Sequence, residues 1–585
     1  MGARTIYAVL EETAKTFGKA AALQQPTGTG NYQTYTWLEY KRAAEEIACG
    51  LRQLGIRKGD TVALHSETRA EFYLADLGVL ANGSIAAALY TTYPFAEQVN
   101  NLRASHAQAI FVEDPKSMQE LIDAAGLGNL PGVHWILLTG EPSSALMEAA
   151  MTLEQLRAKG RAALKKDPQA FQKIRAEVHP EDPAILYLTS GATGEPKMGL
   201  VSHVALTSNI DMGPQVLPLS HTDSTIAFLP SAHIAQRVVI EFLPIRFGMP
   251  VWFSAGIAKL PHEMKSIRPT FLLAPPRVWE RIFASVNAEL KKKSAAARKM
   301  FHGAVGLGAE VSRLREEGKP VPKAMLVLLK IADRLVFSKI RARLGGRIRV
   351  AASGAAPLGK ELARFYAAIG MPLIEGYGLT EGGVVCFNPT DRPKSGSIGV
   401  RMPGVELRLA EEGELLVKSP ALFSGYYDDP VATAAVLRDG WLYTGDVAEI
   451  DLDGYVYITG RKKELIVSSN GKKIYPARIE LLFKAEPIIN QVVLIGDRLP
   501  YVTALVTVNA DEGPSSAEAE VKKAVARVNR LLAPFEQIRK FRIIERDFSI
   551  ETGELTPTMK VRRNRVIENH RELVSELYMG KEESQ

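Results

Sequence analysis

Thr189-Ser-Gly-Ala-Thr-Gly-Glu-Pro-Lys197 is the stretch on which the reading of this 585-residue chain turns. The apolar run Ala184-Ile-Leu-Tyr-Leu188 leads straight into it and predicts a buried strand. Hydroxyls at Thr189, Ser190 and Thr193 alternate with Gly191 and Gly194, with Ala192 between them. Glycine permits positive φ and lets a ligand approach the backbone closely. Successive N–H groups in such a loop make a concave anion site. Lys197 adds a point charge suited to phosphate. A strand feeding a loop of this kind points to an α/β chain that holds a polyphosphate. The loop is not a Walker A motif, which needs Gly-Lys-Ser/Thr opening a helix. Here Pro196 precedes the lysine and Met198 follows it.

Working outward, strands alternate with helices on the N-terminal side. Thr36-Trp-Leu-Glu39 has the form of a capping box and predicts a helix through about Leu54. Thr61–His65, a helix and strand ending at Leu89, and Ala109–Val112 continue the alternation, which implies parallel sheets with helices outside. Residues 140–180 are polar and helical and read as an exposed excursion. Further strands are expected at Thr225–Leu229, Pro250–Phe253, Thr270–Ala274, Ile348–Ala352 and Leu373–Ile374. Within a charged region at 286–346, Ala324–Phe337 predicts an amphipathic helix. That pattern suits a helix packed on its own domain, with a membrane-surface helix as the alternative. From Gly399 the pattern shifts to short strands, Glu414–Val417, Ala448–Ile450 and Tyr455–Ile458, and predicts a small β-rich subdomain.

The composition suits a soluble globular protein: 46% of residues are apolar and 23% charged. A net charge of +7 fits acidic partners such as a nucleotide or an anionic membrane face, and is too dispersed to indicate nucleic acid. Cys49 and Cys386 are the only cysteines and form no CxxC pair, which argues against a disulfide framework or a zinc site. The N-terminus lacks an apolar signal region and the myristoylation pattern, and no stretch of about 18 apolar residues occurs. Cytoplasmic residence is expected, with room for peripheral contact at the inner membrane face.

Four more motifs follow the loop in order: Glu375-Gly-Tyr-Gly-Leu-Thr-Glu381, Tyr443-Thr-Gly-Asp446, Gly460-Arg-Lys-Lys-Glu464 and Leu555-Thr-Pro-Thr-Met-Lys560. With these the chain resembles the acyl-adenylate-forming superfamily of acyl-CoA synthetases, peptide-synthetase adenylation domains and firefly-type luciferases. Leu229-Pro-Ser-Ala-His-Ile-Ala-Gln-Arg237 and Pro275-Pro-Arg-Val-Trp-Glu-Arg-Ile282 are most similar to the long-chain fatty acyl-CoA synthetase branch. The resemblance spans nearly the whole chain. It implies a large N-terminal domain of parallel α/β sheets with a β-rich subdomain (1–460) and a small mobile α+β C-terminal domain (461–585).

The resemblance also implies roles. Residues 189–194 and Lys197 would cradle the ATP phosphates. Glu381 would hold Mg²⁺, a hard ion that takes one or two carboxylates plus phosphate oxygens, and Thr380 would bond the α-phosphate. Read alone, Thr380-Glu381 also suits a helix N-cap with a first-turn acid. Gly354, Ala355 and Ala356 would cover the adenine, opposite Glu375, Gly376, Tyr377 and Gly378. Asp446 and Arg461 would take the ribose. His233 would close the acyl pocket, against the plain alternative of a structural histidine. Lys560 would bridge the carboxylate and α-phosphate. Lys463 matches the hinge position, and Asn470-Gly471-Lys472 the loop that reaches the pantetheine tunnel of CoA. Three positions depart from the family pattern: Ala192, Met198 and Gln236. The implied reaction joins a fatty acid to CoA through an acyl-AMP. A carrier-protein acceptor and a non-catalytic acyl- or nucleotide-binding relative stay open, as do chain length and the choice between monomer and homodimer.

Overall fold

Short runs of small and branched apolar residues become the strands of the central sheet. Thr61–His65, Ile85–Ala88 and Ala109–Val112 are buried along their whole length and run parallel. Continuous apolar strands are what a sheet covered on both faces requires. The computed structural model describes residues 2–28, 30–126, 130, 132–144, 146, 149–189, 197–469, 471–509, 514–556 and 559–579. From edge to edge the eight-stranded sheet runs Gly425–Tyr426, Lys197–Ser202, Pro183–Thr189, Ile85–Ala88, Thr61–His65, Ala109–Val112, His134–Leu137, Ala150–Thr152. The expected capping box forms. Thr36 Oγ1 accepts from the Glu39 N–H at 3.3 Å, the Glu39 carboxylate accepts from the Thr36 N–H at 2.8 Å, and the helix spans Trp37–Gln53.

A second sheet orders Phe271–Ala274, Val350–Ser353, Leu373–Leu379, Gly383–Phe387 and Val400–Arg401. A third places Thr225–Ala227, Val251–Phe253, Ala21–Pro26 and Tyr32–Thr36 side by side. The strands expected in these regions all form. The sheets are mixed rather than purely parallel, however. Lys197–Ser202, Gly383–Phe387 and Tyr32–Thr36 each return antiparallel to the strand before them. In each case the joining loop is too short for the crossover that a parallel pair needs.

Two other expectations change. Residues 153–166 are not an exposed excursion. Their helix lies across Trp37–Gln53, with Leu156 fully buried, and at Gly160 an added Cβ would meet the Glu46 carbonyl at 1.8 Å. The buried Glu46 carboxylate is held there by Arg157 and Arg161. The stretch 324–337 is helical, but only one of its faces packs. Ala332, Val336 and Phe337 are buried, while Val327, Leu328, Ile331 and Leu335 are exposed.

Residues 406–461 form the expected antiparallel subdomain, whose long strand Trp441–Ile450 pairs with Glu414–Lys418 and Val456–Arg461. Beyond Arg461 a short 3₁₀ turn, Lys462–Glu464, leads into an α+β unit. Its strands Ile489–Ile495, Val502–Val508 and Ile538–Ile543 make one sheet. Both apolar clusters of this unit draw only on residues from Ile466 onward. The described side-chain links to the rest of the chain include Lys484–Glu280 at 3.3 Å, Arg277–Asn490 at 3.4 Å and Arg562–Tyr93 at 3.4 Å.

Candidate active site

The strand Pro183–Thr189 and its neighbour Lys197–Ser202 close on each other in register, Thr189 opposite Lys197. The strand Pro183–Thr189 is therefore followed at Lys197 by an antiparallel strand and not by a helix, in keeping with the exclusion of a Walker A motif. Ser190, Gly191, Ala192, Thr193 and Gly194 lie outside the described residues. Lys197 stands over the Tyr426 ring at 4.8 Å. The Tyr426 hydroxyl donates to Glu381 Oε1 at 2.7 Å. The other Glu381 oxygen takes no hydrogen bond from a described residue. Gly199 is where Thr380 approaches the same strand: a Cβ there would meet Thr380 Cγ2 at 3.1 Å.

Thr380 and Glu381 occupy the turn between Leu373–Leu379 and Gly383–Phe387, so the helix N-cap alternative does not hold. The turn is tight: a Cβ on Gly378 would meet the Gly383 carbonyl at 2.5 Å, and Gly383 has φ +66°. Asn209 clamps it from the helix His203–Val216. Its side-chain oxygen accepts from the Val384 N–H at 3.1 Å and its amide donates to the Val384 carbonyl at 3.2 Å.

Ser353, Gly354 and Ala355 line one wall of a cavity, and Gly376, Tyr377 and Gly378 another. Ala355 sits at φ +69°, a conformation uncommon for a residue with a Cβ and found where a site needs it. Ala356 is exposed and lies outside this lining. The Glu375 side chain is also outside it. It is buried, accepts from the Gly396 N–H at 3.2 Å, and burial pushes its carboxyl up to about 8.

Asp446 is buried at the register partner of Arg461. One carboxylate oxygen accepts from the Tyr377 hydroxyl at 2.5 Å and the other faces Arg461 Nε at 2.8 Å. A carboxylate has about four lone-pair positions, so room remains for two ribose hydroxyls. Burial, then the Asp446 charge, drives the Tyr377 phenol far above its ordinary range, so it stays a donor.

Lys560 reaches this cleft from the far unit. Its loop is a narrow hairpin closed by the Leu555–Val561 bridge, with the Thr556 hydroxyl accepting from the Lys560 N–H at 3.1 Å and Met559 at φ +63°. Glu554 anchors it from within. Burial opposes its charge, but bonds from Arg546, Thr552 and Asn569 hold its carboxyl at about 2. The Lys560 ammonium is open to water inside the cleft yet surrounded by protein. Desolvation and then the Arg461 charge lower it to about 8, against the pull of Asp446, Glu381 and Glu464.

His233 is half-buried. Desolvation and the Lys560 charge lower it to about 3, so it is neutral at physiological pH. Its Nδ1 accepts from the Ala235 N–H at 3.1 Å, which assigns the proton to Nε2. His233 thus offers a neutral donor rather than a cation.

Behind His233 the chain enters a π-helical turn, Gln236–Phe242, whose Val238 and Val239 line the same cavity with Ile210, Gly213 and Leu243. The turn is held from behind. Gln236 donates to the Tyr73 hydroxyl at 2.8 Å, and Arg237 pairs with Asp76 where both are fully buried. Asp76, fully buried in the middle of the helix Ala70–Ala81, demands such a partner. The cavity measures about 100 Å³, and it runs from the Tyr377 wall into apolar side chains.

Lys463 is exposed in the 3₁₀ turn. Gly471, at φ +73°, tips a hairpin of the far unit, and its N–H donates to the Ser468 carbonyl at 2.8 Å. Asn470 lies outside the described residues. The structure therefore gathers Lys197, Thr380, Glu381, Gly354, Ala355, Tyr377, Asp446, Arg461, His233 and Lys560 around one cleft, and sets Gly471 apart from its lining. Tyr426 and Asn209 were not legible beforehand. Tyr426 lies in Ser424-Gly-Tyr-Tyr-Asp428, which carries no motif, and Asn209 acts only through a helix packed on a distant hairpin.

The residues fit a metal carried in on a polyphosphate. Among the described residues no group of three or more acids, histidines or cysteines could hold an ion by itself. Glu381 alone offers one oxygen, which matches Mg²⁺ bound largely by phosphate and water.

The sequence and the fold have relatives. Residues 10–427 match the family model described as AMP-binding enzyme, and 463–582 match the AMP-binding enzyme C-terminal domain. The chain belongs to the AMP-binding enzyme family. It is 34% identical over 577 residues to the long-chain-fatty-acid–CoA ligase FadD15 of Mycobacterium tuberculosis, covering 94% of this chain and 93% of that one. It is 28% identical over 633 residues to the long-chain-fatty-acid–CoA ligase ACSBG2 of Xenopus laevis, covering 98% and 84%. The fold matches that of the anthranilate CoA ligase AuaEII in complex with anthranoyl-AMP, with TM-score 0.75, 20% identity and coverage of 98% and 99%. Among the described residues no helix is long and apolar enough to cross a membrane.

If Lys560 supplies positive charge to the reacting phosphate, kcat/KM for acyl-AMP formation falls as pH rises through about 8, where its charge is lost. The ratio reports the free enzyme, the state described here. Lys560→Arg, whose guanidinium does not titrate in this range, moves the alkaline limb upward. A wild-type profile flat from neutrality through pH 10 is the contrary result.

Proposed function

We propose that this chain is an AMP-forming long-chain fatty acid–CoA ligase. The observation that carries the proposal is the convergence of Lys560 with Glu381, Asp446 and neutral His233 on a cleft that continues into an apolar channel. The names of the relatives, FadD15 and ACSBG2, support the same substrate class.

In the first half-reaction a carboxylate oxygen attacks the α-phosphorus of ATP. The P–O bond to the β-phosphate breaks and pyrophosphate leaves. Both reactants are anionic, so most of the catalytic task is charge neutralisation and in-line placement. Lys560 neutralises charge on the α-phosphate and carboxylate oxygens. The His233 Nε2–H donates to the carboxylate. Asp446, with Tyr377 fixed beside it, takes the ribose hydroxyls, and Gly354-Ala355 lies against the adenine. Glu381 would hold a Mg²⁺ brought in on the phosphates, which would supply further positive charge there. In the second half-reaction the CoA thiol attacks the acyl carbon, the thioester forms and AMP leaves.

The cavity of about 100 Å³ is lined mostly by apolar side chains, among them Val238, Val239 and Leu243. Once the channel is filled, each buried CH₂ contributes about 0.8 kcal/mol. Acid-dependent ATP–pyrophosphate exchange, measured across straight-chain acids, is therefore expected to gain about four-fold in kcat/KM per methylene, to roughly C12 or beyond. An optimum at acetate or at an aryl acid would overturn the long-chain assignment and leave the adenylating chemistry intact.

A further inference from the structure

The helix Lys323–Ala332 and the turn Asp333–Phe337 that extends it have one face in the core and one in water. Val327, Leu328, Ile331 and Leu335 are 59%, 53%, 50% and 46% exposed. Their spacing of one, three and four residues puts them on a single stripe. A solitary exposed leucine is ordinary, whereas a continuous apolar stripe marks an interaction surface. Lys323, Lys330, Arg334 and Lys339 border the stripe, are exposed, and make no ion pair with a described residue. The one acid between 323 and 339, Asp333, is paired with Arg341 at 2.7 Å.

This face is separate from the acyl channel. The sheet containing Phe271–Ala274 and Val350–Ser353 stands between them. Phe271, Leu273 and Ala352 line the channel, while Leu272, Ala274 and Ala351 pack into the apolar cluster beneath the helix. The occupant of the stripe must accept apolar side chains and bring negative charge. A second copy of the chain would set cations against cations. A bilayer bearing anionic lipid offers both features in one plane.

We infer that this helix face docks on an anionic membrane surface. Val327, Leu328, Ile331 and Leu335 enter the boundary between headgroups and acyl chains, and the four cations lie over lipid phosphates. Docking stands on the stripe and its charges alone. Its use, drawing acyl substrates from the bilayer, rests on the ligase proposal above.

The test is co-sedimentation of the full chain with vesicles of phosphatidylcholine, alone or mixed with phosphatidylglycerol. Binding is expected on the mixed vesicles, weak on phosphatidylcholine, and lessened by added salt. Leu328→Glu combined with Ile331→Glu abolishes it. Lys330→Gln and Arg334→Gln each lower partitioning about five-fold. All four positions are exposed, so melting temperature and acid-dependent pyrophosphate exchange in solution stay at wild-type values. Three results overturn the inference: wild-type protein left in the supernatant with both vesicle types, variants that partition as wild type does, or a wild-type dimer that Leu328→Glu with Ile331→Glu dissociates. Vesicle binding without any pyrophosphate exchange would sink the ligase reading and leave the docking standing.

Discussion

Lys560→Ala is expected to slow acyl-AMP formation by a factor of about 10²–10³ while the protein still converts supplied acyl-AMP and CoA to thioester. The Lys560 ammonium projects into the cleft within reach of the Glu381 and Asp446 charges. In adenylation, negative charge concentrates around the α-phosphorus, and a preorganised cation in a desolvated site acts there most strongly. Thioester formation makes and breaks no bond at phosphorus: the thiol attacks the acyl carbon, and AMP departs with the bridging oxygen. The variant should fold normally, because the hairpin is held by Glu554, Arg546 and the Leu555–Val561 bridge rather than by the lysine. Rapid-quench measurement of each half-reaction separates the two effects. Equal loss in both would assign Lys560 to general binding or to structure.

Lys463→Pro is expected to give the second large effect, a collapse of CoA thioester formation with single-turnover acyl-AMP formation preserved. Adenylation needs Lys560 at the phosphate, and thioester formation needs space there for pantetheine. We propose that residues 461–585 rotate about Lys463 between the two steps, exchanging the Lys560 face for the Gly471 hairpin. The present conformer has Lys560 inside and the Gly471 turn hydrogen-bonded within its own hairpin. Lys463 lies in a 3₁₀ turn, whose φ near −60° proline shares, and proline cannot follow a large change in φ. The substitution crowds Lys462, so melting is followed alongside activity. Near wild-type thioester synthesis by the variant would place the hinge elsewhere or remove the rotation.

Local signals carried much of the architecture. Thr36 and Glu39 marked a helix start because a capping box depends on residues three apart, and Thr61–His65 and Ala109–Val112 marked strands because buried parallel strands are continuously apolar. The resemblance had brought Asp446 and Arg461 together, and the pairing of Trp441–Ile450 with Val456–Arg461 sets them opposite each other. What escaped depends on distant partners. The Thr380-Glu381 turn had the local pattern of a helix cap, and only its pairing with Gly383–Phe387 makes it a hairpin. The helix at 153–166 was polar enough to suggest exposure, yet a glycine at 160 let it settle against Glu46. The direction in which Val327 and Leu328 face follows from which side of the helix meets the core. That is a tertiary fact, and periodicity alone left it open.

The most direct test of the central claim is the fate of ATP labelled at the α-phosphate in a single turnover with a long-chain acid, Mg²⁺ and no CoA. The expected result is labelled acyl-AMP bound to the enzyme with pyrophosphate released, followed on addition of CoA by unlabelled acyl-CoA and labelled AMP. Labelled ADP, or label that stays in ATP whatever acid is supplied, would contradict it.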